Sequence, residues 1–149
     1  MASPRQFCTF GVDDLLLAID VLQVQEVLRY QEMTRVPTAP PVIRGLINLR
    51  GQIVTAIDLR RRLEMAPAPE DRRPMNVVVR AGEGAVSLLV DEIGDVLELD
   101  RNDCEPPPET IPAAIRGLLS GIFRLPDRLL VVLDPDKVVD PATAAPAMA

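Results

Sequence analysis

The sequence predicts a mainly β protein made of two small antiparallel barrels, each with five short strands. Most apolar runs are four to seven residues long, rich in β-branched side chains and bounded by Gly, Pro or Asp, which is typical of many short strands. The same order of elements also occurs twice along the chain. Helical periodicity is rare, so the few helices that we predict are short.

The repeat is clearest around a four-residue string, Ile43–Leu46, which recurs as Ile115–Leu118. Each copy continues into an apolar strand, a tight polar turn and a second apolar strand. The second strand is Ile53–Asp58 in the first copy and Leu129–Asp134 in the second. A hairpin that recurs in this way indicates two similar halves within one chain.

The repeat extends upstream of these hairpins. Residues Phe7–Asp20 predict a strand, a turn and a second strand, and residues Asn76–Asp91 predict the same arrangement. Each half therefore contains a hairpin, a linker and a second hairpin, in that order. We interpret this order as an internal duplication, and the proline-containing segment 66–74 as the connection between the halves.

These boundaries predict a single domain over residues 7–140. We expect its first subdomain at about 15–74 and its second at about 75–140, and an exchange of the N-terminal strand between the halves is left open. The proline-rich stretch 105–112 cannot lie in a sheet interior, because proline has no backbone N–H to donate. Residues 141–149 are small and unpatterned, and we expect a disordered tail.

Three short helices are predicted, each beginning at an aspartate that can cap its N-terminus. Asp20 precedes residues 21–29, whose apolar positions follow a helical stripe. Asp58 precedes a turn through residues 60–63. Asp134 is followed by a proline, which suits the first helical position because the backbone N–H has no helical partner there.

The composition excludes several classes of function. The 149-residue chain has no histidine, which rules out Ser-His-Asp and Cys-His catalysis, histidine-ligated metal and a phosphohistidine relay. Its net charge is −6 and its aromatic content is 3%, whereas nucleic-acid binding favours a basic surface with stacking aromatics. No apolar run approaches the roughly 20 residues of a membrane span, and the N-terminus has no apolar signal segment. We therefore expect a soluble, cytoplasmic protein that does not insert into the membrane.

Several charged or reactive residues are interpreted as structural. The run Arg60–Arg62 lies in an acidic chain without nearby aromatics, so we expect a solvated face. The acidic residues between 91 and 105 lack the spacing of a calcium loop, and we predict no metal site. The two cysteines, Cys8 and Cys104, fit no metal spacing, and Cys8 lies in a strand pattern that we expect to be buried.

Three motifs, in this order, resemble those of the CheW-like domain family. The first is Val24–Val27, the second runs over Gly45–Val54 and continues as Ile57–Leu59, and the third is Leu89–Leu97. The resemblance extends from about residue 7 to residue 139, nearly the whole chain. It implies a fold of two five-stranded, SH3-like barrels, which agrees with the strand pattern.

The resemblance also implies a function. Proteins of this family act as non-enzymatic adaptors, without cofactors, that couple the cytoplasmic tips of chemoreceptors (methyl-accepting chemotaxis proteins) to the regulatory domain of a CheA-type histidine kinase. It implies a position peripheral to membrane receptor arrays, with further contacts to other CheW-like domains in rings. Two alternatives stay open: a coupler in a non-chemotaxis chemosensory pathway, such as motility or surface sensing, and a small β-barrel binding module for another ligand.

In the family, receptor contacts lie in the groove between the barrels. Matched by position, the resemblance assigns receptor binding to six residues: Val24, Glu26, Gly45, Arg50, Ile93 and Val96. It assigns no residues to kinase binding. We add the hypothesis that Glu26 and Arg50 form an ion pair whose role is to orient the binding surface.

Some of these residues also suit purely structural roles. Gly45 and its counterpart in the repeat, Gly117, suit a bulge or a close backbone approach, and Gly45 could also admit a partner helix. Val24, Ile93 and Val96 suit a core, whereas exposure beside a groove would suit contact with an amphipathic receptor hairpin. Burial in the free protein discriminates between these interpretations.

Overall fold

A computed structural model describes residues 4–66, 69, 72–82 and 84–139 of the protein. Within these residues the chain forms ten short strands. They are β1 (Pro4–Val12), β2 (Leu15–Asp20), β3 (Val24–Leu28), β4 (Ile43–Leu49), β5 (Gln52–Asp58), β6 (Met75–Ala81), β7 (Gly84–Val90), β8 (Glu92–Asp100), β9 (Leu119–Arg124) and β10 (Leu129–Leu133). The predicted tail, 141–149, lies outside the described residues.

The helices in the described chain are short and follow strands or loops. They are α1 (Leu59–Arg62), α2 (Ala113–Arg116) and α3 (Pro135–Val138). The caps predicted for α1 and α3 are confirmed: a carboxylate oxygen of Asp58 accepts the backbone N–H of Arg61 at 3.3 Å, and Asp134 accepts that of Asp136 at 3.0 Å. Each cap satisfies one of the backbone donors that a helix leaves free at its N-terminus.

The predicted helix over residues 21–29 is wrong beyond its first turn. Asp20 caps a single 3-10 turn, Val21–Gln23, by accepting the backbone N–H of Leu22 at 2.9 Å. The chain then continues as β3, which pairs antiparallel with β6. The valines of β3 are β-branched, and their pairing against the buried β6 outweighs a weak helical stripe.

The ten strands form two five-stranded sheets with equivalent strand orders. Sheet 1 has the order β8-β1-β2-β10-β9, and sheet 2 has the order β3-β6-β7-β5-β4. Most neighbouring pairs are antiparallel, as predicted. In each sheet, however, two hairpins meet through one parallel pair, β2 with β10 in sheet 1 and β5 with β7 in sheet 2.

The strand orders also show how the two halves of the chain combine. Strands β1–β5 and β6–β10 each run as a hairpin, a single strand and a second hairpin, which matches the predicted duplication. The first hairpin of each half lies in the sheet that contains the last three strands of the other half. The sheets therefore do not coincide with the predicted subdomains 15–74 and 75–140, because the halves exchange whole hairpins rather than one N-terminal strand.

A backbone bridge links the two edge strands of each sheet. In sheet 2, Thr34 follows edge strand β3 and exchanges two 2.8 Å hydrogen bonds with Leu46 on the other edge strand, β4. In sheet 1, Glu105 follows β8 and forms the equivalent pair of 2.8 Å bonds with Ile122 on β9. Each bridge gives edge-strand backbone groups a partner, and the prolines that follow Glu105 stay outside the strands, as predicted.

Apolar side chains form three buried clusters. One lies within sheet 2 around Val54, and one lies within sheet 1, where the ring centroids of Phe7 and Phe123 are 5.4 Å apart. The largest draws on both sheets, with Phe10 from sheet 1 and Leu88 from sheet 2. This central cluster packs the two sheets against each other and accounts for the largest buried apolar surface.

Candidate functional site

The six residues assigned to receptor binding are divided between the two sheets. Val24 and Glu26 lie on β3, Gly45 lies on β4, and Arg50 lies in the turn between β4 and β5, all in sheet 2. Ile93 and Val96 lie on β8 in sheet 1. Val24 and Ile93 both pack against the central cluster between the sheets. Four of the six residues therefore lie on two edge strands, β3 and β8, that occupy equivalent places in the two sheets, and the other two lie on β4 and in the turn that follows it.

The hypothesis of a Glu26–Arg50 ion pair is confirmed. The Arg50 guanidinium donates a hydrogen bond through Nη2 to Oε2 of Glu26. Arg50 is 70% exposed at the side chain and Glu26 is 22% exposed. The pair links the two edges of sheet 2. Glu26 lies on strand β3 instead of in the helix predicted over residues 21–29, and Arg50 lies in the turn between β4 and β5. An ion pair with so exposed an arginine contributes only ~0–1 kcal/mol to folding, so its main effect is on the shape and charge of the surface.

The turn that carries Arg50 explains the position of its side chain. Arg50 has φ 51° and Gly51 has φ 89°, so two successive residues adopt left-handed backbone conformations. Asn48 stabilises this turn by accepting the backbone N–H of Gly51 at 2.9 Å. Such a turn matches the right-handed twist of a hairpin, and it directs the arginine towards β3.

Burial separates the three apolar residues of the assigned surface. Val24 and Ile93 are half-buried against the central cluster. Val96 is 56% exposed. A core role therefore fits the packing of Val24 and Ile93. Val96 is an apolar side chain exposed on the surface, as a docking role requires.

Gly45 is buried, and the backbone of a neighbouring segment lies close to it. A Cβ atom added there would lie 2.6 Å from the carbonyl oxygen of Thr34 and 3.1 Å from Cβ of Met33. The register between β4 and β5 also shifts between Ile43 and Gly45. The predicted bulge with close backbone approach is confirmed.

The counterpart Gly117 does not play the same role. It caps the C-terminus of α2 in a right-handed helical conformation, with φ −65° and ψ −13°. The prediction of an equivalent bulge in the second half is therefore wrong. The reason is that the second Ile-Arg-Gly-Leu copy begins in a helix, and the strand β9 starts only at Leu119.

Sequence reasoning missed a buried arginine. Arg60 was expected on a solvated face, yet its side chain is only 7% exposed. Its Nε donates to Oδ1 of Asp91 at 3.0 Å and its Nη2 donates to Oδ2 of Asp91 at 2.6 Å. Nη2 also lies 3.3 Å from Oδ1 of Asp13, and Nη1 donates to the carbonyl oxygen of Ala66 at 2.9 Å. The prediction fails because carboxylates from distant segments pair with Arg60 and offset its loss of hydration.

The ionisation of this cluster follows from its contacts. Burial alone would raise the pKa of the Asp91 carboxyl, but hydrogen bonds from Arg60 and from the backbone N–H of Asp13, with the charges of Arg60 and Arg72, hold that pKa below its usual value. The hydrogen bond to Asp91 raises the pKa of Arg60, against the opposing effect of burial. Arg60 and Asp91 therefore both stay charged at neutral pH.

The other two arginines of the run differ from each other: one is exposed and one forms hydrogen bonds to a helix end. Arg61 is exposed, as predicted. Arg62 instead donates from Nε to the carbonyl oxygen of Val138 at 2.7 Å and from Nη2 to that of Lys137 at 3.1 Å, so its side chain caps the C-terminal end of α3. A cation is favourable at this end of a helix, because carbonyl groups there have no helical partner.

The cysteines show no arrangement for chemistry. Cys8 is half-buried rather than buried, because it lies on β1 opposite Val96, which leaves that patch partly open. Cys104 is exposed. Burial is the main factor that raises the pKa of both thiols above the ordinary value, so neither is an activated thiolate at neutral pH.

The described chain contains neither a metal-binding cluster nor a membrane-spanning helix. Residues 4–139, apart from the few gaps given above, contain no group of three or more Cys, Asp or Glu side chains placed to hold a metal ion. The acidic residues between 91 and 105 lie largely along β8 and the 3-10 turn that follows it. None of the described helices is long and apolar enough to cross a membrane.

Comparison with known proteins identifies the family of the chain. The model of the CheW-like domain matches residues 6–142. The chain belongs to the CheW-like domain family. This match covers every strand of both sheets except the first two residues of β1.

Relatives with this domain span nearly the same length. The chain is 33% identical over 135 residues to a chemotaxis protein CheW of Klebsiella aerogenes, covering 91% of this chain and 81% of that protein. It is 31% identical over 144 residues to a chemotaxis protein CheW of Bacillus subtilis, covering 97% and 92%. It is also 32% identical over 122 residues to the Protein FrzA of Myxococcus xanthus, covering 81% and 76%.

A solved structure agrees with the CheW-like fold described above. The crystal structure of the scaffolding protein TtCheW from Thermoanaerobacter tengcongensis superposes with a TM-score of 0.83 at 27% identity, covering 93% of this chain and 94% of that one. This agreement confirms the predicted fold class, a mainly β protein with two five-stranded, SH3-like sheets and a few short helices.

Proposed function

We propose that the protein is a non-enzymatic adaptor that couples chemoreceptors to a CheA-type histidine kinase. The observation that carries the proposal is a CheW-like domain over residues 6–142, with a Glu26–Arg50 ion pair at the assigned receptor surface. Beside this family match, the chain has no histidine for acid-base or nucleophilic catalysis. An adaptor needs binding surfaces rather than reactive groups. The composition of this chain and its Glu26–Arg50 ion pair suit that task.

The proposed receptor surface lies along β3, the Arg50 turn and β8. Glu26 and Arg50 would supply a polar contact, and the exposed Val96 would supply an apolar one. This combination suits an amphipathic helical hairpin, which presents an apolar stripe flanked by polar residues. Kinase binding would then use other surfaces of the two sheets, so that one molecule can hold both partners, and further CheW-like domains could extend the assembly into rings at the receptor array.

The test is calorimetric titration against two soluble partners from the same genome: a receptor signalling-tip fragment and a CheA regulatory domain. Glu26→Ala and Arg50→Ala should each weaken receptor binding about tenfold and leave kinase binding unchanged. Reversing both charges, Glu26→Arg with Arg50→Glu, rebuilds an ion pair and separates the need for a pair from the need for a particular charge. Arg124→Ala is the matched control, because Arg124 is also exposed and paired, with Glu105 at 2.8 Å in sheet 1.

The outcomes separate the parts of the proposal. If neither partner binds the unaltered protein, the coupler function is refuted. If both partners bind and neither single alanine variant weakens receptor binding, the function stands and the assigned surface is wrong. A second candidate is coupling in a chemosensory pathway other than chemotaxis, which the similarity to FrzA favours. Titrating every CheA-type regulatory domain of the genome distinguishes the two, because the pathway is that of the kinase that binds.

A further inference from the structure

A polar link joins sheet 2 to sheet 1 at the start of β8. Helix α1 directly follows β5 of sheet 2, and its Arg60 reaches Asp13 in the β1–β2 turn of sheet 1 at 3.3 Å. The same guanidinium holds Asp91 at 2.6 Å, and Asp91 is the one residue between β7 of sheet 2 and β8 of sheet 1. The backbone N–H of Asp13 also donates to Asp91 at 2.7 Å. Arg60 therefore fixes both the chain crossing between the sheets and the turn beside it.

The duplication places a related link at the equivalent position. Helix α3 follows β10 of sheet 1, as α1 follows β5 of sheet 2, and its Asp136 accepts the backbone N–H of Gly82 in the β6–β7 turn of sheet 2 at 2.8 Å. Arg62 of α1 then connects the two helices through the carbonyl oxygens at the end of α3. Each sheet thus extends a short helix to a hairpin of the other sheet, β1–β2 in sheet 1 and β6–β7 in sheet 2.

We propose that Arg60 is a positioning residue that sets the relative orientation of the two sheets, and through it the alignment of the receptor surface. This inference rests on the proposed function, because the surface is divided between β3 in sheet 2 and β8 in sheet 1. Asp91 lies two residues before Ile93, so a displacement of the crossing moves β8 relative to β3. A receptor hairpin that contacts both strands binds well only when they keep a defined separation.

The central apolar cluster does not supply a directional contact of this kind. Hydrophobic contact is non-directional, and it holds the sheets together through the apolar area that it buries. The two parallel N–H···O bonds from Arg60 to Asp91, at 3.0 and 2.6 Å, are planar and directional. A lysine would keep the charge but lose this two-point geometry, which makes Arg60→Lys an informative variant.

The first measurement is the distance between the sheets, and it does not depend on any partner. Spin labels are placed at Arg80→Cys on β6 of sheet 2 and Asp127→Cys after β9 of sheet 1, both exposed positions, in a chain whose native cysteines are replaced by serine. Pulsed electron–electron resonance then gives the distance distribution. We expect Arg60→Met to broaden it at least twofold, Arg60→Lys to broaden it less, and the exposed control Arg124→Met to leave it unchanged. An unchanged distribution in Arg60→Met overturns the inference.

The second measurement is receptor affinity, at a temperature where circular dichroism shows every variant to be fully folded. Arg60→Met should weaken binding of the receptor signalling-tip fragment about tenfold, with Arg60→Lys intermediate and Arg124→Met unchanged. A broadened distance distribution with unchanged receptor affinity overturns the link to the receptor surface. If the unaltered protein binds no receptor fragment, the proposed function fails, and with it the receptor part of this inference. The distance measurement then still decides whether Arg60 orients the sheets.

Discussion

Replacing Gly45 with alanine tests whether this glycine serves the fold or the partner. Its backbone conformation lies outside the left-handed region, so alanine can adopt the same dihedral angles. The added Cβ would instead lie 2.6 Å from the carbonyl oxygen of Thr34, a distance that Cβ atoms essentially never show. That carbonyl is backbone and cannot rotate away, so β4 must move from the segment that contains Thr34.

The size of the effect follows from what this movement breaks. Thr34 and Leu46 exchange two hydrogen bonds of 2.8 Å, each with a net value of about 1 kcal/mol. Forcing a methyl group into a packed region costs about 1–3 kcal/mol more. Alanine also lowers the conformational entropy of the unfolded chain relative to glycine, which offsets about 0.4–1 kcal/mol of this destabilisation. We therefore expect Gly45→Ala to lower the free energy of unfolding by about 2–5 kcal/mol.

The assay is equilibrium unfolding in urea, followed by circular dichroism. Gly84→Ala is the matched control, because Gly84 is also in a strand of sheet 2 and no described atom lies within 4 Å of a Cβ placed there. We expect this control to be neutral or slightly stabilising. If Gly45→Ala is as stable as Gly84→Ala but binds the receptor fragment more weakly, the structural account is wrong and Gly45 contacts the partner.

Four further predictions concern buried polar groups and a helix cap. Arg60→Met should lower the free energy of unfolding by about 3–5 kcal/mol, because it leaves Asp91 buried without its main partner. The control Arg124→Met should lower it by ~0–1 kcal/mol, and urea unfolding measures both values. Folding lowers the pKa of the Asp91 carboxyl, so the stability that this group contributes is present above its unfolded pKa of about 4 and is lost as the pH falls through its folded pKa. The loss of stability below pH ~4 should therefore be smaller in Arg60→Met than in the unaltered protein. Asn76→Ala should lower the free energy of unfolding by about 2–4 kcal/mol in the same assay. The side-chain amide of Asn76 accepts a hydrogen bond from the buried hydroxyl of Ser87 at 2.7 Å and donates one to the carbonyl oxygen of Arg29 at 3.0 Å. Asp134→Ala should lower the melting temperature by the equivalent of about 1 kcal/mol through loss of the α3 cap.

The parts of the fold that the sequence predicts correctly are those set by local signals. Each hairpin requires only two apolar runs and a turn, and each cap at Asp58 or Asp134 requires only one side chain beside its own helix. The Glu26–Arg50 pair was predictable for another reason, since family resemblance places both residues on one surface. Local signals also explain the failure at 21–29, where a short stripe of valines fits a helix and a strand almost equally.

The parts that the sequence does not predict depend on pairing between distant segments. Nothing in β2 or β10 specifies that they meet in parallel, because an apolar β-branched strand can pair in either direction. Arg60 resembles its exposed neighbour Arg61 in sequence, and only the exchange of hairpins brings Asp13 and Asp91 to it. A signal was nevertheless present: Asp91 directly follows the apolar residues Leu88–Val90, where an unpaired carboxylate would be costly to bury.

The order of the strands makes sheet 1 depend on sheet 2. If the sheets were formed from separate halves, each could fold and move as an independent unit, joined only by a linker. Here sheet 2 is formed by the consecutive strands β3–β7, whereas sheet 1 joins β1 and β2 to β8–β10, so sheet 1 requires both ends of the described chain to come together. A binding surface divided between two sheets is useful to an adaptor only if the sheets keep one arrangement. The chain crossings from β2 to β3 and from β7 to β8 tie the sheets together, and the Arg60 link, placed where the chain crosses from sheet 2 to sheet 1, adds a directional contact to the apolar interface.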